Sequence, residues 1–267
     1  MSKYCSDIDI YSKEGTLLLA KGQELTGEAL LKLKRLGAVK EINVDAVRDE
    51  IEIFECASNI KDKFNRLEEN LLNNASDIIS DFLFDSKSNS WWMYVNALSN
   101  YVDWVYTHTI NVALISLIIA IKLNYAEETL KVLCLGALLH DVGKLLIPKN
   151  ILQKQGKLSD REMILVKQHC ELGYSMIKDL DLSPISTEII LQHHERLDGS
   201  GYPYGLHSDQ ISDGAKIVMI ADVLDAITSY RPYSNSQQIN VAMEELKKDE
   251  SKYSRDILDI LESFLIM

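Results

Sequence analysis

From about residue 58 onward, apolar residues recur with helical periodicity. The whole chain contains only four prolines to interrupt it, and strand-like alternation is scarce. A mostly α-helical domain is expected. The longest apolar run, INVALISLIIAI at residues 110 to 121, is too short to cross a bilayer, and the N-terminal MSKYCSDIDIYSKEG lacks the apolar core of a secretion signal. A cytoplasmic protein with no membrane partner is the expectation.

Residues 1 to 57 read differently. IDIYSKEGTLLLAKG predicts a hairpin turning at Glu14-Gly15, TGEALLKLKRLGA predicts a helix ending near Gly37, and VKEINV predicts a short strand. Together these make a small α+β N-terminal module. A helical connector follows at 58–100, and the main helical domain at 101–267. In the connector, Phe64, Leu67, Leu71 and Leu72 fall on one stripe of a helix, which suits core packing and could also join two subunits in a homodimer. Trp91 and Trp92 are expected as packing anchors.

Helix signals sharpen toward the histidines. Ser159 and Glu162 form a capping box, predicting a helix from Asp160 that carries His169 inside it. Gly143 follows LLHD where a helix should end, leaving Lys144 just past the last turn. The four cysteines stand far apart, which predicts buried reduced thiols rather than disulfides or a thiolate metal site. A formal net charge of −12 argues against a nucleic-acid polymer as partner, yet it is compatible with a small phosphate ligand held through metal ions.

His140-Asp141 closes an apolar helix, where an unpaired carboxylate would be costly, so a cationic partner is implied. Successive helical residues point about 100° apart, so such a pair serves one ion only at a helix end, or leans toward two ions. His193-His194 poses the same geometry, and Asp222 lies among apolar residues in KIVMIADVLDAI, with Asp225 as a polar neighbour on its face. If His108, His140, Asp141, His169, His193, His194 and Asp222 held two octahedral ions with Asp141 bridging, positions would remain for a bridging hydroxide and one phosphate oxygen per ion. Imidazole and carboxylate donors without thiolate suit iron or manganese, with zinc and nickel left as alternatives. Lys144 and Arg231 offer cations for a phosphate.

Four blocks in order, LLHDVGK at 138–144, His169 to Gly173, HHERLDGSGYP at 193–203 and ADVLDAITSYRPY at 221–233, resemble the HD-GYP family of cyclic-di-GMP phosphodiesterases, a subgroup of HD-domain metal hydrolases. The likeness covers roughly residues 100 to 265. It implies an all-helical HD-domain bundle with a carboxylate-bridged di-iron or di-manganese centre, the seven residues above as its ligands, and Lys144 and Arg231 on the phosphodiester. It also implies a loop beside the substrate shaped by Gly199, Gly201 and Pro203, with Tyr202 either orienting that loop or touching the ligand. Glu195 and Asp198 would hold histidine rings through their other nitrogen, or face solvent, and His207 is a loop residue. Relatives with a third metal carry a glutamate one turn before the first histidine; Trp104 stands there, so two metals are expected. Ser234 follows RPY where many relatives have a basic residue. The expected activity is hydrolysis of cyclic-di-GMP to pGpG and onward to GMP. Two other readings compete: a weakly catalytic cyclic-dinucleotide-binding or protein-interaction module, and a hydrolase of another cyclic dinucleotide such as cyclic GMP-AMP.

Overall fold

The computed structural model describes residues 10–11, 17–22, 44–85, 89–229, 236–249 and 251–265. The described chain is mostly α-helical. Near the N-terminus β1 (Ile10–Tyr11) pairs antiparallel with β2 (Leu17–Leu19), Ile10 opposite Leu19. The predicted turn at Glu14-Gly15 and the helix expected over TGEALLKLKRLGA lie outside the described residues. Of VKEINV only Val44 is described, and it begins a helix rather than ending a strand.

That helix, α1 (Val44–Lys63), runs unbroken through residue 57, where the sequence suggested a boundary. It packs on α2 (Glu69–Asp85), and both pack on α4 (Asp103–Lys122). The expected stripe is divided: Phe64 and Leu67 sit in the turn between α1 and α2, while Leu71 and Leu72 open α2. All four are buried in the same core as α4, as the packing expectation had it. Phe64 meets Phe264 edge-on at 6.1 Å, and the Arg66 N–H donates to the Phe264 carbonyl at 2.9 Å, so the chain's C-terminal end closes on this turn. The described residues of 58–100 thus pack into the helical body. Trp91, stacked on Phe82 at 5.1 Å, anchors the start of α3 (Trp92–Tyr101).

The centre of the bundle is α4. It is apolar on every side, and a helix of that kind must be buried all round. Over Trp104–Lys122 its mean hydropathy of 1.7 makes it long and apolar enough to cross a membrane by length and composition, which the shorter run at 110–121 did not suggest. Here 83% of that span is covered by protein. α1, α2, α5 (Glu127–Leu139) and α10 (Asp213–Thr228) surround it, and each fully buried leucine, such as Leu114 or Leu117, contributes about 1.5–3 kcal/mol.

α9 (Pro184–Gln192), begun by a proline at its first turn, packs against α5, α10 and α8 (His169–Ile177). α11 (Ile239–Lys248) and α12 (Arg255–Ser263) cover α10; α12 turns Ile257, Leu258 and Leu261 inward and keeps Asp256 and Asp259 outside. Between α5 and α8 lie a 3-10 turn (Val142–Leu146), α6 (Lys149–Leu152) and α7 (Asp160–Lys167). The Ser159–Glu162 capping box opens α7 as predicted. Cys56, Cys134 and Cys170 are free and buried.

Candidate metal centre

α5 stops at Leu139. His140 keeps helical dihedrals, but Asp141 (φ −100°, ψ 9°) leaves them and starts the 3-10 turn, so the pair sits at a helix end with both side chains turned inward. His169 does not lie inside the helix begun at Asp160. α7 ends at Lys167 and His169 opens α8, its ring Nδ1 donating at 2.7 Å to the Val166 carbonyl in the turn before. His108 comes from α4, His193 and His194 from the end of α9, and Asp222 from α10.

These seven residues converge as two donor groups. Asp141, His169, His193 and His194 form one; His108, His140 and Asp222 form the other; within each, the donor atoms lie within 4.8 Å of one another. Asp141 faces both. Its Oδ1 is 3.4 Å from His169 Nε2 and 4.0 Å from His193 Nε2, and its Oδ2 is 3.4 Å from His140 Nε2 and 3.7 Å from His108 Nε2. Asp222 behaves similarly, with Oδ1 at 3.1 Å from His108 Nε2 and Oδ2 at 3.6 Å from His194 Nδ1.

The far side of each ring explains why the near side is a donor. His140 Nδ1 donates to the Ala137 carbonyl at 2.7 Å, His193 Nδ1 to the Ile190 carbonyl at 3.1 Å, and His108 Nδ1 to Asp225 Oδ2 at 2.6 Å. A ring nitrogen that donates to oxygen must carry the hydrogen, which leaves the Nε2 lone pair of each neutral ring aimed inward. Glu195 and Asp198 do not take this part. Glu195, fully buried, accepts the backbone N–H groups of Tyr204 and Leu206 at 2.7 and 3.0 Å, and Asp198 accepts from Ser200 N–H at 2.9 Å. Backbone carbonyls, which no side-chain pattern reveals, hold three of the rings. The fourth partner, Asp225, is legible only as a carboxylate one turn after Asp222.

The donor set fits a cation. His140 Nε2 and Asp141 Oδ1 are buried without a hydrogen-bond partner among the described residues. His169 Nε2 and His193 Nε2 lie 3.2 Å apart while both rings spend their hydrogens on carbonyls, so two lone pairs face each other. Only a positive charge between them makes that arrangement favourable. Burial pushes His169 down to about 4, and burial together with neighbouring imidazoles holds His193 and His194 well below the usual range, so these rings stay unprotonated at neutral pH. Burial alone would raise Asp141, but the charges around it, the Lys144 ammonium first, outweigh it and keep the carboxyl well below its usual range.

Lys144, in the 3-10 turn, folds back to pair with Asp141 Oδ2, its ammonium 5.7 Å from the centre of the Trp104 ring. Trp104 stands one turn before His108, the rings 6.5 Å apart. In the loop after α9, the Tyr202 ring stacks on His194 at 4.7 Å and 28°, and Lys167 Nζ lies 4.9 Å from the Tyr202 ring centre. Gly201 is seated so closely on the Glu195–Arg196 backbone that a Cβ would come within 2.3 Å of Glu195 Cα. Tyr202 joins Pro203 through a cis peptide, Gly199 takes a φ of +79°, and His207 is an exposed loop residue. Arg231 and Ser234 lie outside the described residues. Tyr202→Ala is expected to weaken metal affinity about tenfold by freeing the His194 ring, whereas Tyr202→Phe keeps the stack and wild-type affinity; metal titration distinguishes the two.

A sequence model described as HD domain matches residues 93–257. The chain belongs to the HD-domain family. The chain is 39% identical to the cyclic di-GMP phosphodiesterase PA4108 of Pseudomonas aeruginosa over 166 residues, covering 60% of this chain and 39% of that protein. It is 34% identical over 170 residues to the 3'3'-cGAMP-specific phosphodiesterase 1 of Vibrio cholerae, covering 61% and 39%. The chain therefore spans less than half the length of these relatives. The solved structure of Bd1817, an HDG"Y"P protein from Bdellovibrio bacteriovorus, shares the HD-domain fold at a TM-score of 0.55 and 21% identity, covering 97% of this chain and 94% of that one.

Proposed function

We propose that this chain is a metal-dependent phosphodiesterase that hydrolyses cyclic-di-GMP to pGpG and onward to GMP, using two divalent ions, iron or manganese. The observation that carries the reading is Asp141, whose two oxygens face two separate groups of imidazole and carboxylate donors. Ions held by these two groups would supply an acidified water for attack on phosphorus and positive charge beside the phosphate oxygens.

The chain's own groups supply the rest. Lys144 exchanges its Asp141 partner for a phosphate oxygen, or meets the departing alkoxide, when substrate enters. Gly201, Tyr202 and Pro203 form the wall beside the substrate, and Arg231 contacts the phosphodiester as a planar fork. Residues 101–267 form the reacting domain, with α1 and α2 as its support. Three buried free thiols favour a reducing cytoplasm.

The test is anaerobic loading with Fe(II) or Mn(II), followed by chromatography of the products from cyclic-di-GMP and, in parallel, from cyclic GMP-AMP. Linear dinucleotide from the loaded protein and none after chelation is the expected result. Preference for cyclic GMP-AMP, a reading favoured by the Vibrio cholerae relative, would move the substrate assignment. Tight binding of either nucleotide by fully loaded protein without any product would replace the enzyme with a binding module.

A further inference from the structure

A buried network ties α1 to one half of the metal centre. Asp225 is fully buried on α10 and its carboxylate collects three donors, two from α4 and one from the end of α10: His108 Nδ1 at 2.6 Å on Oδ2, and Asn111 Nδ2 at 2.8 Å and Ser229 Oγ at 2.6 Å on Oδ1. Lys63, in the last turn of α1 and 166 residues from Ser229 in sequence, donates to the Ser229 hydroxyl at 3.1 Å and brings its ammonium to 4.0 Å from Asp225 Oδ1. Its side chain is only 20% exposed, and burial lowers its pKa. A lysine desolvated to that extent needs a compensating partner, and the described residues give it this pair.

We infer that Lys63 is a positioning residue for the metal centre: through Ser229 and Asp225 it fixes the His108 ring, and so couples α1 to the donor group of His108, His140 and Asp222. This rests on the two-metal reading. A carboxylate that receives His108 Nδ1–H sets both the tautomer and the angle at which Nε2 meets an ion. With Lys63 gone, Ser229 and Asp225 lose an anchor and a counter-charge, and the ring they hold loses its fixed aim. In the other donor group the His169 and His193 rings are oriented by carbonyls of α7 and α9 rather than by this network, so the effect falls mainly on the group that holds His108. Because α1 leads from the N-terminal region to the core, a shift of this helix would be felt as a change in occupancy of a single metal position.

Lys63→Met, which keeps the apolar stem, and Ser229→Ala, which removes the relay, test this in the full chain. Mn(II) titration with elemental analysis, and the electron paramagnetic resonance signature of a coupled ion pair, are read beside circular dichroism of the metal-free protein. The wild type should bind two ions with a coupled signature. Each variant should bind the weaker ion at least about tenfold less tightly, show the uncoupled signal of one ion, and keep the wild-type dichroism. Wild-type stoichiometry and coupling in both variants would overturn the inference alone, as would equal weakening of both ions. A wild-type protein that binds no divalent ion would overturn the two-metal reading with it.

Discussion

Asp141→Ala is expected to lower turnover of cyclic-di-GMP by about 1,000-fold or more, a loss of about 4 kcal/mol in transition-state stabilisation. The reason is positional. Each histidine serves one donor group, whereas the two oxygens of Asp141 face both. Removing one imidazole, as in His140→Ala, opens a single group and leaves Asp141 to hold the other ion, so its loss of metal should stop near one ion per chain. Removing Asp141 should cost both. The variant also strands Lys144, whose exposure is only 8%, beside the hole its partner leaves. An unpaired buried ammonium costs on the order of 3–5 kcal/mol, so the metal-free variant should also melt earlier than wild type. Asp141→Asn keeps the volume and separates the two effects: it should recover part of the melting temperature and none of the turnover. Full metal content and wild-type turnover in Asp141→Ala would leave the bridging geometry without a function.

Much of the centre was readable because its donors are rare residue types in apolar surroundings. His140-Asp141 at the end of an apolar helix and Asp222 amid aliphatic residues each posed a burial problem, and the structure resolves both in one place. What stayed hidden depends on backbone geometry. His169 begins α8 rather than sitting within α7 because the helix breaks at Gln168, and no spacing of apolar residues announces that break. Ring orientation by carbonyls is invisible for the same reason, and it led to Glu195 being given a part that belongs to the loop it braces. The helical class was plain from periodicity, but the place of α1 and α2 was not. A stripe such as Phe64, Leu67, Leu71 and Leu72 has the same pattern whether it faces its own core or a partner, and here it is buried at home.

Gly143 shows how tightly the fold and the centre are joined. Its φ is not positive, so the need for glycine is not the helix-terminating conformation that the sequence suggested. The 3-10 turn carrying it lies directly against the start of α8, and a Cβ at this position would come within 1.9 Å of the His169 carbonyl oxygen and 2.6 Å of Gly173 N. Both obstacles are backbone, so no side-chain rotation relieves them. Gly143→Ala must push the turn and α8 apart, at a cost of about 3 kcal/mol, the upper part of the range for overpacked cores. For a domain of this size that lowers the melting temperature by about 6–12 °C. The same movement separates Asp141 and Lys144 on one side from His169 on the other, across a gap now set at 3.4 Å. Metal affinity of the group containing His169 should therefore fall with stability, and turnover should fall at least about 100-fold at a temperature where the variant is still folded. Wild-type melting and metal affinity in Gly143→Ala would mean that the turn and α8 do not pack as closely in solution as described. A variant that melts early yet binds metal normally would show that the centre tolerates the displacement.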